Sequence, residues 1–203
     1  MVGKPQQRSG KTRQNILSTA RHLFDSSGYN DTSVDQIATA AGVAKGTVFS
    51  HFPDKANLLT AVRIESLETL VTQMSAATTQ DQSQDTSKDP VQIFIDLLSP
   101  WLNLFANDPD FTQVFLNQAD LRGGPWALRL YDTCCALDAA LEKAISELLD
   151  QGRLPATSSV SMYAQGVQAF FYHVLIGLHS GATQSQEDQE MLLRGLLTRW
   201  LTA

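Results

Sequence analysis

Cysteine is almost absent from this chain of 203 residues. The two present, Cys134 and Cys135, are adjacent, so no disulfide ties distant segments and a disulfide-built secreted scaffold is excluded. That usage fits a reducing compartment, and a cytoplasmic protein is the expectation. Long hydrophobic runs are missing too. The most apolar stretch, Phe170 to Leu178, is broken by His173 and falls short of the ~18 residues that span a bilayer. The first residues hold no apolar signal-peptide core, and no membrane partner is expected. No stretch alternates with period two, which argues against strands. Metal-ligand spacings, phosphate loops and nucleophile elbows are lacking; no catalytic residue, metal or cofactor is expected, and the chain does not read as an enzyme. Positive charge is in the minority, 15 Lys and Arg against 21 Asp and Glu for a net charge of −6, which taken alone argues against a nucleic-acid partner.

What the chain does have is helical periodicity nearly throughout. Ile16, Leu17, Ala20, Leu23 and Phe24 recur at three- and four-residue spacing, and Gly28 supplies a stop. Thr32, with Asp35 three residues on, predicts an N-cap and capping box for a second helix ending near Gly42. Val43 to Ser50 is a third, short helix, and a long amphipathic helix starts at Asp54. Residues 75–90 hold nothing more apolar than alanine and read as a flexible connector. Beyond it, Asp89-Pro90, Asp108-Pro109, Gly124-Pro125, Ser158-Ser159 and Gln186 open five more helices, with Pro100 expected to kink or end the first of them. The prediction is an all-α fold of about nine helices. It divides into a flexible basic arm (1–11), a helix-turn-helix domain (12–55) and a helical body (56–203).

The charge average conceals a split. Up to Arg63 there are eight Lys and Arg against four acids, a net of +4, and the remainder carries −10. The basic end is where a helix-turn-helix falls, the second helix crossing the DNA backbone and the third entering the major groove. Lys45, Thr47, Ser50 and His51 supply donors on that short helix. Gly46 removes a side chain where backbone approaches phosphate. Thr32 and Ser33 offer hydroxyls and helix-start amides to a phosphate, and Lys55 would neutralise another.

Thr12-Arg13, Ile16-Leu17, Ala20, Leu23-Phe24, Gly28-Tyr29, Thr32-Ser33-Val34, Ile37-Ala38, Ala41-Gly42-Val43, Lys45-Gly46-Thr47, His51-Phe52 and Lys55 together resemble the N-terminal domain of the TetR family of transcriptional regulators. The resemblance runs without a gap over residues 12–63. One departure stands out: Phe49 occupies a position where the family usually has a phosphate-touching tyrosine, keeping the apolar contact and losing the hydroxyl. The resemblance implies a homodimer whose last two helices pair with those of a second copy. It also implies a small-molecule effector pocket in the body and a palindromic double-stranded operator, from which the effector releases the protein by moving the fourth helix.

Residues of the body are read beside that implication. Trp101, Phe105, Phe115, Trp126, Tyr131, Tyr163, Phe170 and His173 provide aromatic surface for a pocket, and the scarcity of bases there leans towards an apolar or weakly polar effector. The helix from Ser159 to Leu178 is apolar on more faces than one protomer uses. With the leucine stripe of the last helix, it offers Phe171, Leu178, Leu193, Leu197 and Trp200 to a dimer interface. The cysteine pair reads as one buried small apolar residue and one outward thiol, ahead of a redox sensor. The expected function is a ligand-responsive repressor; the alternative is a DNA-bound scaffold whose body docks a protein and takes no inducer.

Overall fold

In the computed structural model the described residues are 4–77, 88–117, 125–181 and 185–201. They form nine helices and no strand: α1 (Lys4–Ser27), α2 (Val34–Ala41), α3 (Lys45–His51), α4 (Lys55–Ala77), α5 (Pro90–Ala106), α6 (Pro109–Leu116), α7 (Pro125–Asp150), α8 (Val160–His179) and α9 (Gln186–Leu201). Two compact units result, the first from Met1–Glu65 with Asn117–Leu130 and the second from Ser66–Leu116 with Tyr131–Ala203. No helix among the described residues is long and apolar enough to cross a membrane.

Sequence signals and helix ends agree at most boundaries. Gly28, Gly42 and Gly152 take positive φ just past α1, α2 and α7, where a side chain would strain the turn. Asp89 caps α5 through Val91 N–H and Ser159 caps α8 through Met162 N–H, each satisfying an amide that the helix itself cannot. Two boundaries differ from expectation. α1 starts at Lys4, so residues 4–11 are its opening turns and not a loose arm; Pro5 fits there because a first turn needs no N–H from it. α5 does not end at Pro100 but continues to Ala106. The proline has no N–H to give the Asp96 carbonyl, and both residues are exposed. Most of the expected connector at 75–90 lies outside the described residues.

In the first unit, α1, α2 and α3 enclose Ile16, Ala20, Phe24, Ile37, Val48 and Phe52, with Leu58, Leu59 and Val62 from the first turns of α4. In the second unit, α5 lies at the centre against α6, α8 and α9. Trp101, Leu102, Phe105, Phe111, Val167, Leu175, Leu193 and Leu197 fill its core. Three residues expected at a dimer interface are consumed here. Phe171, Leu193 and Leu197 are buried inside the protomer, because the leucine stripe of α9 faces α5 and α8, its own neighbours. Leu178 and Trp200 are half-buried.

Trp200 shows why Gly166 sits mid-helix. The indole lies on α8 over Gly166, flanked by Tyr163 at 5.4 Å and Phe170 at 5.5 Å between ring centres. A Cβ at residue 166 would fall 2.2 Å from the indole edge. Gly166 therefore serves packing within the protomer, and Gly166→Ala is expected to displace Trp200. Overpacking costs about 1–3 kcal/mol and the helix preference of alanine returns about 1 kcal/mol, so denaturant unfolding should show a net loss. An unchanged or raised midpoint would contradict this packing.

Candidate functional site

The first unit builds its exposed polar face from two short helices. α2 is capped by Ser33, whose Oγ accepts from Gln36 N–H at 3.2 Å while the Gln36 side chain accepts from Ser33 N–H at 2.6 Å. The capping box is thus one residue later than the Thr32–Asp35 box expected from sequence. Thr32 is corrected with it: the side chain is buried, and its hydroxyl donates to the Gly28 and Leu23 carbonyls at 2.7 and 3.3 Å. Carbonyls at the end of α1 need donors, and Thr32 is held there, away from any phosphate. Ser33 remains exposed.

Gly42, at φ +67°, reverses the chain after α2 and places α3 seven residues long beside it. Asn15 ties the turn to α1 by donating to the Ala41 carbonyl at 2.8 Å. On α3, Val48 is buried beside Phe52 just beyond, while Lys45, Gly46, Phe49 and Ser50 are exposed and Thr47 and His51 partly so. Phe49 is an aromatic 41% exposed, which leaves much of its ring open at the surface. Lys45 pairs with Asp35 at 2.7 Å, an exposed bridge of small worth that a phosphate or base edge can replace. Ser50 turns its hydroxyl to the Thr47 carbonyl at 2.7 Å. Lys55 stands 4.1 Å from the Tyr29 ring centre with the Asn30 carbonyl at 3.5 Å, so its ammonium is steered by cation–π attraction. In the sequence Tyr29 bears on the family resemblance alone, and its place beside Lys55 is not legible there.

Trp126 is a second correction. Expected in an effector pocket, it belongs to the first unit. It stacks on Phe52 at 5.6 Å between ring centres, and its indole N–H points to the His51 carbonyl at 3.4 Å. The last turn of α3 is thereby covered by an aromatic plate 75 residues away in sequence. Apolar periodicity cannot reveal such a pairing, because it records faces and not partners.

The second unit holds a cavity of about 60 Å³ between α5, α6, α7 and α8. Leu98, Phe115, Leu137, Leu141, Val167 and Phe171 make its apolar wall, and Cys134, Asp138, Gln168 and Tyr172 its polar corner. Of the aromatic residues expected at a pocket, only Phe115 lines this one. Trp101 borders a separate hollow with Leu70, Met74 and Pro100. Phe105 is buried in an aromatic cluster with Phe111 and Phe171. Tyr163 donates to the Pro155 carbonyl at 2.6 Å, and Phe170 leans on Trp200. Tyr131 and His173 are exposed, so neither lines a pocket as expected; His173 sits on the outward stripe of α8. Asp138, Gln168 and Tyr172 were missed, since polar residues on mostly apolar helices read as solvent-facing.

Electrostatics in this corner are set by burial. It pushes the Cys134 thiol up to about 11, with Asp138 and Cys135 adding to it. Tyr172 is pushed up to about 12 by burial, then by Cys134 and Asp138. The Asp138 carboxyl is raised by burial first and by Glu142 one turn along. No group of three or more metal-ligating side chains occurs among the described residues.

Residues 16–62 match the family described as bacterial regulatory proteins, tetR family. The transcriptional regulator AcrR of Shigella flexneri is 42% identical over 62 residues, 30% of this chain and 29% of that protein. The matched portion thus spans less than a third of this curated relative. The probable regulator ArpR of Pseudomonas putida is 23% identical over 84% of this chain and 81% of its own length. Among solved structures, FadR from Bacillus subtilis in complex with stearoyl-CoA superimposes with a TM-score of 0.65 at 18% identity, over 93% of this chain and 97% of that one. The fold of the chain is the all-α TetR-like fold.

Two outcomes follow from the geometry. Trp126→Ala should destabilise the first unit, by about 3–5 kcal/mol if the vacated space stays open, seen as an earlier unfolding transition; a variant as stable as the parent would remove Trp126 from this role. Iodoacetamide at pH 8 should label the exposed Cys135 well before Cys134, whose thiolate fraction there is on the order of one in a thousand. Peptide mapping that finds equal labelling would contradict the burial of Cys134.

Proposed function

We propose that this chain, whose N-terminal domain belongs to the TetR family of transcriptional regulators, is a ligand-responsive repressor that binds a palindromic operator as a homodimer. The observation that carries the reading is α3: seven residues, anchored by Val48 and Phe52, presenting Lys45, Gly46, Phe49 and Ser50 outward beside the Ser33 cap of α2. A helix held by one face with the other face polar and open fits the major groove. Lys45 and Ser50 are assigned to base edges, and Ser33 and Lys55 to phosphates. Thr47 and His51 flank them, and Phe49 contributes apolar contact.

The dimer is supported by apolar side chains that the protomer leaves open. Met162 and Ile176 on α8 and Met191 on α9 are each more than half exposed, which replaces the buried Phe171, Leu193 and Leu197 as interface candidates. Two-fold pairing of such faces predicts an inverted-repeat operator. The effector reading is supported by the cavity of the second unit and by the likeness to a FadR structure that holds stearoyl-CoA. A cavity favours it over the protein-docking scaffold. α4 and α7 each contribute residues to both units, and release is assigned to an effector that favours the conformer unable to hold both half-sites.

Selection of bound sequences from random duplex DNA tests the reading. It should enrich an inverted repeat whose half-sites lie about one helical turn apart or slightly more, near ~10 bp. Enrichment of no repeat would sink it. On the enriched site, Lys45→Ala should weaken binding by about 1–3 kcal/mol and relax one base position, whereas Lys55→Ala should weaken all sequences alike and flatten the salt dependence. Ile176→Glu should shift the protein to a monomer in sedimentation and cost operator affinity; a dimer that survives it would move the interface elsewhere.

A further inference from the structure

The polar corner of the cavity indicates what kind of effector it takes. Its ten lining residues include no Arg, Lys or His. The thiol of Cys134 and the phenol of Tyr172 ionise only at about 11 and about 12, so both are neutral near pH 7. Asp138 is then the one lining side chain able to carry charge there. Its Oδ1 accepts from Gln168 Nε2 at 2.5 Å, which fixes the carboxylate and leaves the Gln168 carbonyl oxygen as a second acceptor. No cation compensates it from the lining, and Glu142 one turn along adds negative potential. In the same lining, Phe115 and Tyr172 stack with ring centres 6.0 Å apart and planes 9° from parallel, and Phe171 meets Tyr172 edge-on at 6.0 Å.

We propose that this cavity binds a small amine in its protonated form, its ammonium between the Asp138 carboxylate and the Gln168 carbonyl and its apolar body against Phe115, Phe171 and Tyr172. The inference rests on the effector reading above and names the ligand class for that site. The ammonium gains a charge-assisted hydrogen bond to a carboxylate that lacks a partner cation, and the aromatic faces add cation–π attraction. A carboxylate or phosphate ligand would meet Asp138 with no base to offset the repulsion, at a cost that rises as water is excluded. Size narrows the class further. A volume of about 60 Å³ is far below the roughly 300–1,000 Å³ of drug-sized pockets and below the roughly 150 Å³ that holds benzene, so the body is no larger than a short alkyl chain. Anionic thioesters of the kind bound by the FadR neighbour fit neither the charge nor the space.

Propylamine, 1-propanol and propionate share a three-carbon skeleton and differ in charge, and they serve as the probes. Each is titrated onto the full chain with two readouts, the thermal midpoint of the protein and the anisotropy of a labelled selected operator. Propylamine is expected to raise the midpoint and release the operator. Propanol and propionate should require concentrations at least ~10-fold higher, equivalent to about 1.4 kcal/mol. Asp138→Asn keeps the shape of the corner and removes its charge, and with it the preference for the amine should disappear. The proposal is overturned if propionate or propanol binds as tightly as propylamine, if propylamine does not bind at tens of millimolar, or if the preference survives in Asp138→Asn. Binding of propylamine without operator release retains the amine site and removes the effector role, whereas release by the alcohol or the acid alone retains the effector role and removes the amine site.

Discussion

A seven-residue helix does not hold itself together in water. Nucleating the first turn is unfavourable, and isolated helices shorter than ~12–15 residues are marginal even with good sequences. α3 exists because Val48 and Phe52 are driven into the core made by Ile16, Ala20, Phe24 and Ile37, because Gly42 permits the left-handed reversal before it, and because Trp126 closes over its end. That one anchored face leaves the opposite face free of structural duty. Lys45, Gly46, Phe49 and Ser50 can then be chosen for what they touch outside the protein. The rest of the first unit is arranged around that requirement: Thr32 and Asn15 satisfy the carbonyls that end α1 and α2, so the turn between the two helices is pinned from both sides.

Much of this was legible in the residues. The glycine stops, the Asp-Pro starts and the three- and four-residue apolar spacing mark helix ends because they report local backbone chemistry. The short third helix and its polar face were visible for the same reason. What stayed hidden depends on partners distant in the chain. Thr32 and Ser33 both look like caps, and only the carbonyls of Leu23 and Gly28 decide which one is drawn inward. Trp126 looks like any aromatic of the body until Phe52 is found beneath it. Phe171, Leu193 and Leu197 form stripes that suit an interface equally well within or between protomers. Their burial against α5 shifts that role to the exposed Met162, Ile176 and Met191. Asp138 and Gln168 were illegible as site residues because a polar side chain on an amphipathic helix is ordinarily solvated.

The charge split acquires a physical meaning in this light. The net +4 of the first 63 residues belongs to the segment that holds α3 and the start of α4, and bases there would release counterions from a duplex. The −10 of the remainder would disfavour contact with a duplex outside that segment. The same acidic bias reaches into the cavity, where Asp138 stands without a compensating base.

The central claim is that the open face of α3 enters the major groove, once per protomer of a two-fold dimer. Dimethyl sulfate protection on the selected operator measures this directly, because the reagent reads guanine N7 in the major groove. The account predicts two protected clusters, one in each half of the inverted repeat, about one helical turn (~10 bp) or slightly more apart, with protection lost in Lys45→Ala at the base that Lys45 contacts. Protection confined to the minor groove, or a single cluster without a two-fold mate, would contradict it.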